Sequence, residues 1–279
     1  MKFRTGCRLD YEIPSLSTFV FNLAACDTAH QRVLWENLAI APETAPEEYR
    51  EPANGNRYHR FSASTGRLSV RYEAEVESAP TFATPGRIGA AAPGQLPLHT
   101  LPYLLPSRYC QSDHLMRLAY REFGAYRPGY NQVAAICNWI YANVDYLVGT
   151  TGPLTSAFDT ATARAGVCRD FAHLGIAFCR ALNIPARFVS GYAYAMEPQD
   201  FHAVFEAWLD DQWYLFDPTR RTVPENLIRI GVGRDAADVS FALIFGLAQM
   251  TGMEVYAQAL EPIEGDAHTD ASWHAVATA

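Results

Sequence analysis

Cys168, His202 and Asp217 stand in three short stretches whose residue types suit nucleophilic chemistry: Gly166-Val167-Cys168-Arg169-Asp170-Phe171, Asp200-Phe201-His202-Ala203 and Phe216-Asp217-Pro218-Thr219. A thiol attacks as its thiolate, needs a base to take its proton, and gains from a carboxylate that holds the base in one tautomer. The order Cys, His, Asp therefore reads as nucleophile, general base and acid, and orienting carboxylate.

Those side chains need elements to carry them. After Ala165-Gly166, apolar residues fall at Phe171, Leu174, Phe178 and Leu182, the spacing of a helix with one buried face, and Asn183-Ile184-Pro185 stops it. Cys168 then lies at the positive helix end, where free N–H groups favour a thiolate and could also hold an oxyanion. Residues 187–194 read as a strand, 196–200 as a turn, 202–209 as a second strand, Asp210-Asp211 as a hairpin loop and 212–217 as the return strand. If Leu209 pairs with Gln212, His202 and Asp217 share a face as diagonal neighbours about 7–8 Å apart, within reach of one another.

With these motifs in order, the chain resembles a known family. Gly-Val-Cys-Arg-Asp-Phe-Ala-His-Leu (166–174), Ile-Pro-Ala-Arg-Phe-Val-Ser-Gly-Tyr (184–192), Asp-Phe-His-Ala (200–203) and Trp-Tyr-Leu-Phe-Asp-Pro-Thr (213–219) are similar to the transglutaminase core in its bacterial, cysteine-protease-like branch. The stretch 231–239 also resembles the region beyond the Asp in that branch, so the likeness covers roughly residues 104–245. The resemblance implies an α+β fold: an N-terminal antiparallel β-sandwich-like domain, then a papain-like catalytic domain with Cys168 as nucleophile, His202 as base and acid, and Asp217 as orienter. One departure is Val204, where many relatives carry Trp two residues after the His.

Two domains suit 279 residues, and 49% apolar with 19% charged residues indicates an ordinary globular chain. A formal net charge of −8, with no basic run longer than Arg220-Arg221, argues against nucleic acid or an anionic membrane as partner. Residues 1–8 lack a signal-peptide core, so a cytoplasmic location is expected. The six cysteines (7, 26, 110, 137, 168 and 179) contain no C-x-x-C pair, which disfavours structural zinc and leaves five expected as free buried thiols.

Residues 1–78 are expected to be the N-terminal β domain, with strands at 18–23, 32–38 and 67–76, the last alternating Leu68, Val70, Tyr72, Ala74 and Val76 with polar residues. Asn54-Gly55 signals a turn. Residues 79–110, rich in Pro and Gly, read as a linker; 111–260 as the catalytic domain, ending in a strand at 253–260; and 261–279 as a poorly held tail. Ser112 and Asn131 are candidate caps of two helices, Asp170 of the Cys168 helix. Tyr146 could donate a hydrogen bond at the active site but is read as a buried structural tyrosine, Arg169 as paired with a neighbouring acid, Glu206 as a satisfied strand residue and Cys179 as too far along its helix to be the nucleophile.

The chemistry expected is acyl transfer through a thioester on peptide or protein amides, needing neither metal nor organic cofactor. Water as acceptor makes the protein a peptidase or amidase, the favoured outcome; a lysine-type amine makes it a transglutaminase. A non-catalytic peptide-binding scaffold is the alternative from another class. Substrate and oligomeric state are not readable from the residues.

Overall fold

The computed structural model describes residues 1–263 and 274–279. Six strands come first: β1 (Lys2–Ile13), β2 (Ser17–Phe21), β3 (Gln31–Ala41), β4 (Glu47–Arg50), β5 (Arg57–Ala63) and β6 (Gly66–Ser78), with β7 (Thr81–Ala83) soon after. The middle of the chain holds α1 (Ser112–Phe123), α2 (Tyr130–Asn143), β8 (Asp145–Tyr146), α3 (Ala157–Ala163), β9 (Ala165–Gly166) and α4 (Cys168–Ala181). The remaining strands are β10 (Ala186–Ala193), β11 (Phe201–Leu209), β12 (Gln212–Phe216), β13 (Leu227–Gly233), β14 (Ala242–Phe245), β15 (Gln249–Ala259) and β16 (Ala275–Ala277).

Two four-stranded sheets, ordered β15-β1-β6-β3 and β14-β2-β5-β4, build the N-terminal sandwich. Alternation decides which faces meet: Leu68, Val70, Tyr72, Ala74 and Val76 on β6 are all buried, as are Phe19 and Phe21 on β2. Tyr11 of β1 meets Phe19 edge-on at 5.5 Å, so aromatic side chains bridge the sheets. The turn expected at Asn54-Gly55 forms, with Gly55 at φ 76°.

A six-stranded sheet, β13-β10-β11-β12-β16-β7, forms the second half, with α4 packed on β10 and β11. Two segments pair elsewhere than the sequence suggests. Strand β15, expected in the catalytic domain, is an edge of the sandwich, where Leu9 of β1 faces Met253. The chain end, expected to be loose, supplies β16, whose Val276 pairs with Leu215 and with Phe82 of β7, inside the stretch read as a linker. The reason is hydrophobic: Ala275, Val276 and Ala277 are buried between strands that would otherwise be edges. His268, in the stretch read as a tail, lies outside the described residues; His274 is described, and its ring meets Phe82 edge-on at 6.1 Å. The expected caps also differ: Ser112 is the first residue of α1, and α2 begins behind Gly129, whose φ of 144° only glycine adopts readily.

The free edge of β13 abuts the sandwich, and side-chain amides satisfy its backbone. Asn56 accepts from the Val232 N–H at 2.8 Å and donates to the Val232 carbonyl at 2.8 Å. Gln31 does the same for Arg229, at 2.7 and 2.9 Å. Buried backbone groups left without partners would each cost about 1–3 kcal/mol, so these amides tie the domains together. Below, Glu206 lies between Arg187 and Arg229, which hold its carboxyl down to about 2 against the upward push of burial.

Helix α4 can approach β11 because Gly175 faces the Phe205 ring: a Cβ there would come within 2.5 Å of it. Phe205 cannot swing aside, since it is fully buried and stacked on Phe216 at 5.5 Å. Gly175→Ala should therefore destabilise the protein by about 1–3 kcal/mol through overpacking, although alanine is the better helix former by about 1 kcal/mol. Denaturant unfolding checks this; a more stable variant would show that the contact is not tight.

Candidate active site

Asp170, the third residue of α4, accepts from the Val167 N–H at 3.0 Å and from the Thr151 hydroxyl at 2.7 Å, closing the helix start and tying down the loop before it. Gly166 leaves room for this, since a Cβ there would lie 2.8 Å from that of Asp170. Cys168 is thereby placed at the first helical position, partly exposed, whereas the five other cysteines are buried. Its S–H makes a long contact, 3.9 Å, to the Phe201 carbonyl. Arg169 pairs with Asp170 at 2.9 Å, and burial pushes the Cys179 thiol up.

The hairpin sets the other two groups. Leu209 pairs with Gln212 and Phe205 with Phe216, the register expected, and both Asp210 and Asp211 have positive φ, as a tight two-residue loop requires. His202 Nε2 and the Asp217 Oδ2 consequently lie 2.9 Å apart, fully buried. Oδ1 of Asp217 accepts from the Thr219 N–H at 2.9 Å and its hydroxyl at 2.6 Å, and Oδ2 also accepts from the Thr222 N–H at 3.3 Å. Every lone-pair direction of the carboxylate is used.

Nδ1 of His202 is buried with no hydrogen-bond partner, and Cys168 is near enough to act on the charge of the ring. Burial alone would push the imidazole pKa down; the charge and hydrogen bond of Asp217, with a contribution from Cys168, overcome it and raise it to about 10. Burial pushes the Asp217 carboxyl up, but His202 and Thr219 hold it below the usual range. The three groups named from the sequence are brought together: Cys168 and His202 line one cavity, and Asp217 holds the imidazole from behind.

Tyr146 is the group that residue types alone did not bring here. A two-residue parallel pairing sets it opposite Gly166, two residues before the sulfur, close enough for its phenol and Cys168 to act on each other's charge. Burial first, then the sulfur, push its phenol up to about 12, so it is a neutral donor at ordinary pH. Arg221 lies over its ring at 4.6 Å. The one available signal was its place in a short apolar stretch preceding the cysteine motif. Val204, by contrast, is fully buried between strands, so the departure from Trp falls in the core. Among the described residues, no group of three or more His, Cys, Asp and Glu side chains could hold a metal ion, and no helix is long and apolar enough to cross a membrane.

The raised imidazole pKa gives a sign to pH. His202 contributes its stabilisation fully below about 6.5 and loses it as pH rises through the folded value; Asp217 contributes fully above about 3.9 and loses it in acid. The stability gap between the native protein and Asp217→Asn should therefore be widest between about pH 4 and 6.5 and shrink toward pH 10. Histidine NMR should show His202 still protonated at neutral pH, and titrating lower in the variant. A native His202 titrating like an exposed histidine would mean that the pair does not form.

The transglutaminase-like superfamily profile matches residues 117–218, and that of the bacterial transglutaminase N-terminal domain residues 1–84. The crystal structure of a candidate cysteine protease from Cytophaga hutchinsonii is 42% identical, with a TM-score of 0.95 over 99% of this chain and 97% of that one. An uncharacterized protein of Mycobacterium leprae, ML0607, is 38% identical over 118 residues, 39% of this chain and 42% of that one, so the match spans less than half of that relative. Another, Rv2569c of Mycobacterium tuberculosis, is 26% identical over 300 residues, 95% of this chain and 94% of that one. This likeness and the geometry around Cys168 support thiol-dependent catalysis. Matched in both halves and along its whole length, this chain belongs to the transglutaminase-like superfamily, as a bacterial transglutaminase N-terminal domain followed by a transglutaminase-like core.

Proposed function

We propose that the protein transfers acyl groups from peptide or protein amides through a thioester on Cys168, with water as the usual acceptor. The observation that carries this reading is the buried His202 imidazole, held by Asp217 at 2.9 Å and acting on the one partly exposed cysteine. With His202 holding the proton that Cys168 gives up, the thiolate attacks the amide carbonyl, and the carbonyl oxygen takes up negative charge. Collapse of that adduct breaks the C–N bond while His202 returns its proton to the leaving amine. Water, deprotonated by the now neutral His202, then attacks the thioester and frees the acid and the thiol.

Two donors suit the developing oxyanion: the Cys168 N–H at the start of α4, and the hydroxyl of Tyr146, which pairs beside that helix start. Asp217 keeps its charge throughout and acts by holding the ring, not by moving the proton. Hydrolysis is preferred to amine transfer because water needs no binding site of its own. A lysine-type amine acceptor would complete the same cycle through the same three residues.

Incubation with a peptide library containing glutamine donors and a primary amine, followed by mass spectrometry, separates the outcomes. Hydrolysis gives cleaved or deamidated products, amine transfer gives amine adducts, and Cys168→Ala gives neither. Absence of both products, together with slow iodoacetamide labelling of Cys168 that His202→Ala leaves unchanged, would favour a binding scaffold. Tyr146→Phe should lower kcat by about 10²–10³ with little change in KM, the effect of losing one oxyanion donor; an unchanged kcat would remove Tyr146 from the reaction.

A further inference from the structure

Beside Cys168 and His202 the chain encloses a cavity of about 350 Å³ whose wall includes Phe188, Phe201, Val239, Phe241, Met250 and Met253. Phe201, whose carbonyl faces the Cys168 thiol, stacks on Phe241 at 5.0 Å and 15° in this wall. Several polar groups on the wall are engaged within the protein. Ser240 donates to the Ala236 carbonyl at 3.1 Å, Ser190 to the Gly231 carbonyl at 3.4 Å, and Arg169 is held by Asp170 at 2.9 Å. Asp200 is the acidic group on the wall.

Met250 and Met253 arrive from β15, an edge strand of the sandwich, and each is 42% exposed. An apolar cavity of about 150 Å³ already takes a benzene ring, so this one has room for a phenylalanine or leucine side chain. Methionine adapts its shape to apolar partners, which suits a pocket that admits several of them.

We propose that this cavity is the specificity pocket for a large apolar side chain, aromatic or branched aliphatic, flanking the amide that Cys168 attacks, and that the N-terminal sandwich supplies one wall of it through Met250 and Met253. The inference rests on Cys168 being the nucleophile. It assigns the sandwich a part in substrate choice, and it makes acidic side chains poor substrates because Asp200 faces them.

Alkylation rates of Cys168 test the pocket without knowledge of the substrate. Iodoacetamide, its N-phenethyl derivative and its N-(2-carboxyethyl) derivative are compared, each rate divided by that of the same reagent with glutathione. The phenethyl reagent should label Cys168 at least about tenfold faster than iodoacetamide on this scale, saturably, because a phenyl group leaves water; the carboxyethyl reagent should be slower than iodoacetamide. The double variant Met250→Glu, Met253→Glu, at half-exposed positions and checked for folding by circular dichroism, should lose the phenethyl preference, measured against its own iodoacetamide rate. A native preference within about twofold of unity, or one that survives in the double variant, overturns the pocket. A Cys168 sluggish toward iodoacetamide itself counts against the nucleophile, while the ratio of reagents still reports on the cavity.

Discussion

The hydrogen bond between His202 and Asp217 is the constraint around which the catalytic half is arranged. An imidazole and a carboxylate removed from water are each costly, and losing either partner strands the other at a cost of about 3–5 kcal/mol. The fold meets this by satisfying the carboxylate completely, through Thr219, Thr222 and the ring. The hairpin register, the tight turn at Asp210-Asp211 and the reversal at Pro218 all serve to bring those groups to one point. With the ring held from one side, its remaining nitrogen is free to work on the sulfur.

The second constraint is the approach of α4 to β11. Gly175 removes the side chain that would hold helix and strand apart, and Gly166 removes the one that would block Asp170 from closing the helix start. The helix thus delivers its positive end and its sulfur to the strand that carries the imidazole. The pairing of Tyr146 with Gly166 uses the same turn to bring a neutral phenol to that end. One short segment, 166–170, therefore sets the exposed sulfur, the helix cap and the strand that carries Tyr146 together.

The N-terminal sandwich is bound to this arrangement by more than chain connection. Asn56 and Gln31 pair with the free edge of β13, and Tyr192 of β10 gives its hydroxyl to the Leu23 carbonyl at 2.8 Å inside a core that both halves share. Polar pairing of this kind fixes the relative placement of the two halves more sharply than apolar contact alone, because amide geometry is directional. A cavity wall built across that boundary is held accordingly.

The helix of Cys168, the hairpin of His202 and Asp217 and the alternating strand β6 arise from local signals, namely apolar period, turn residues and capping chemistry. These were legible in the residues alone, together with which thiol is the nucleophile candidate. The end of the chain was not, because Ala275, Val276 and Ala277 are too short and plain to announce a strand, and only the unpaired edges of β7 and β12 give them one. For β15 the strand was legible but not its partner β1, which lies more than two hundred residues earlier, and the place of Tyr146 depends on a two-residue pairing. Local pattern states what each segment can be; contacts between segments distant in sequence, which no local pattern records, set where the tyrosine, the methionines and the last strand came to rest.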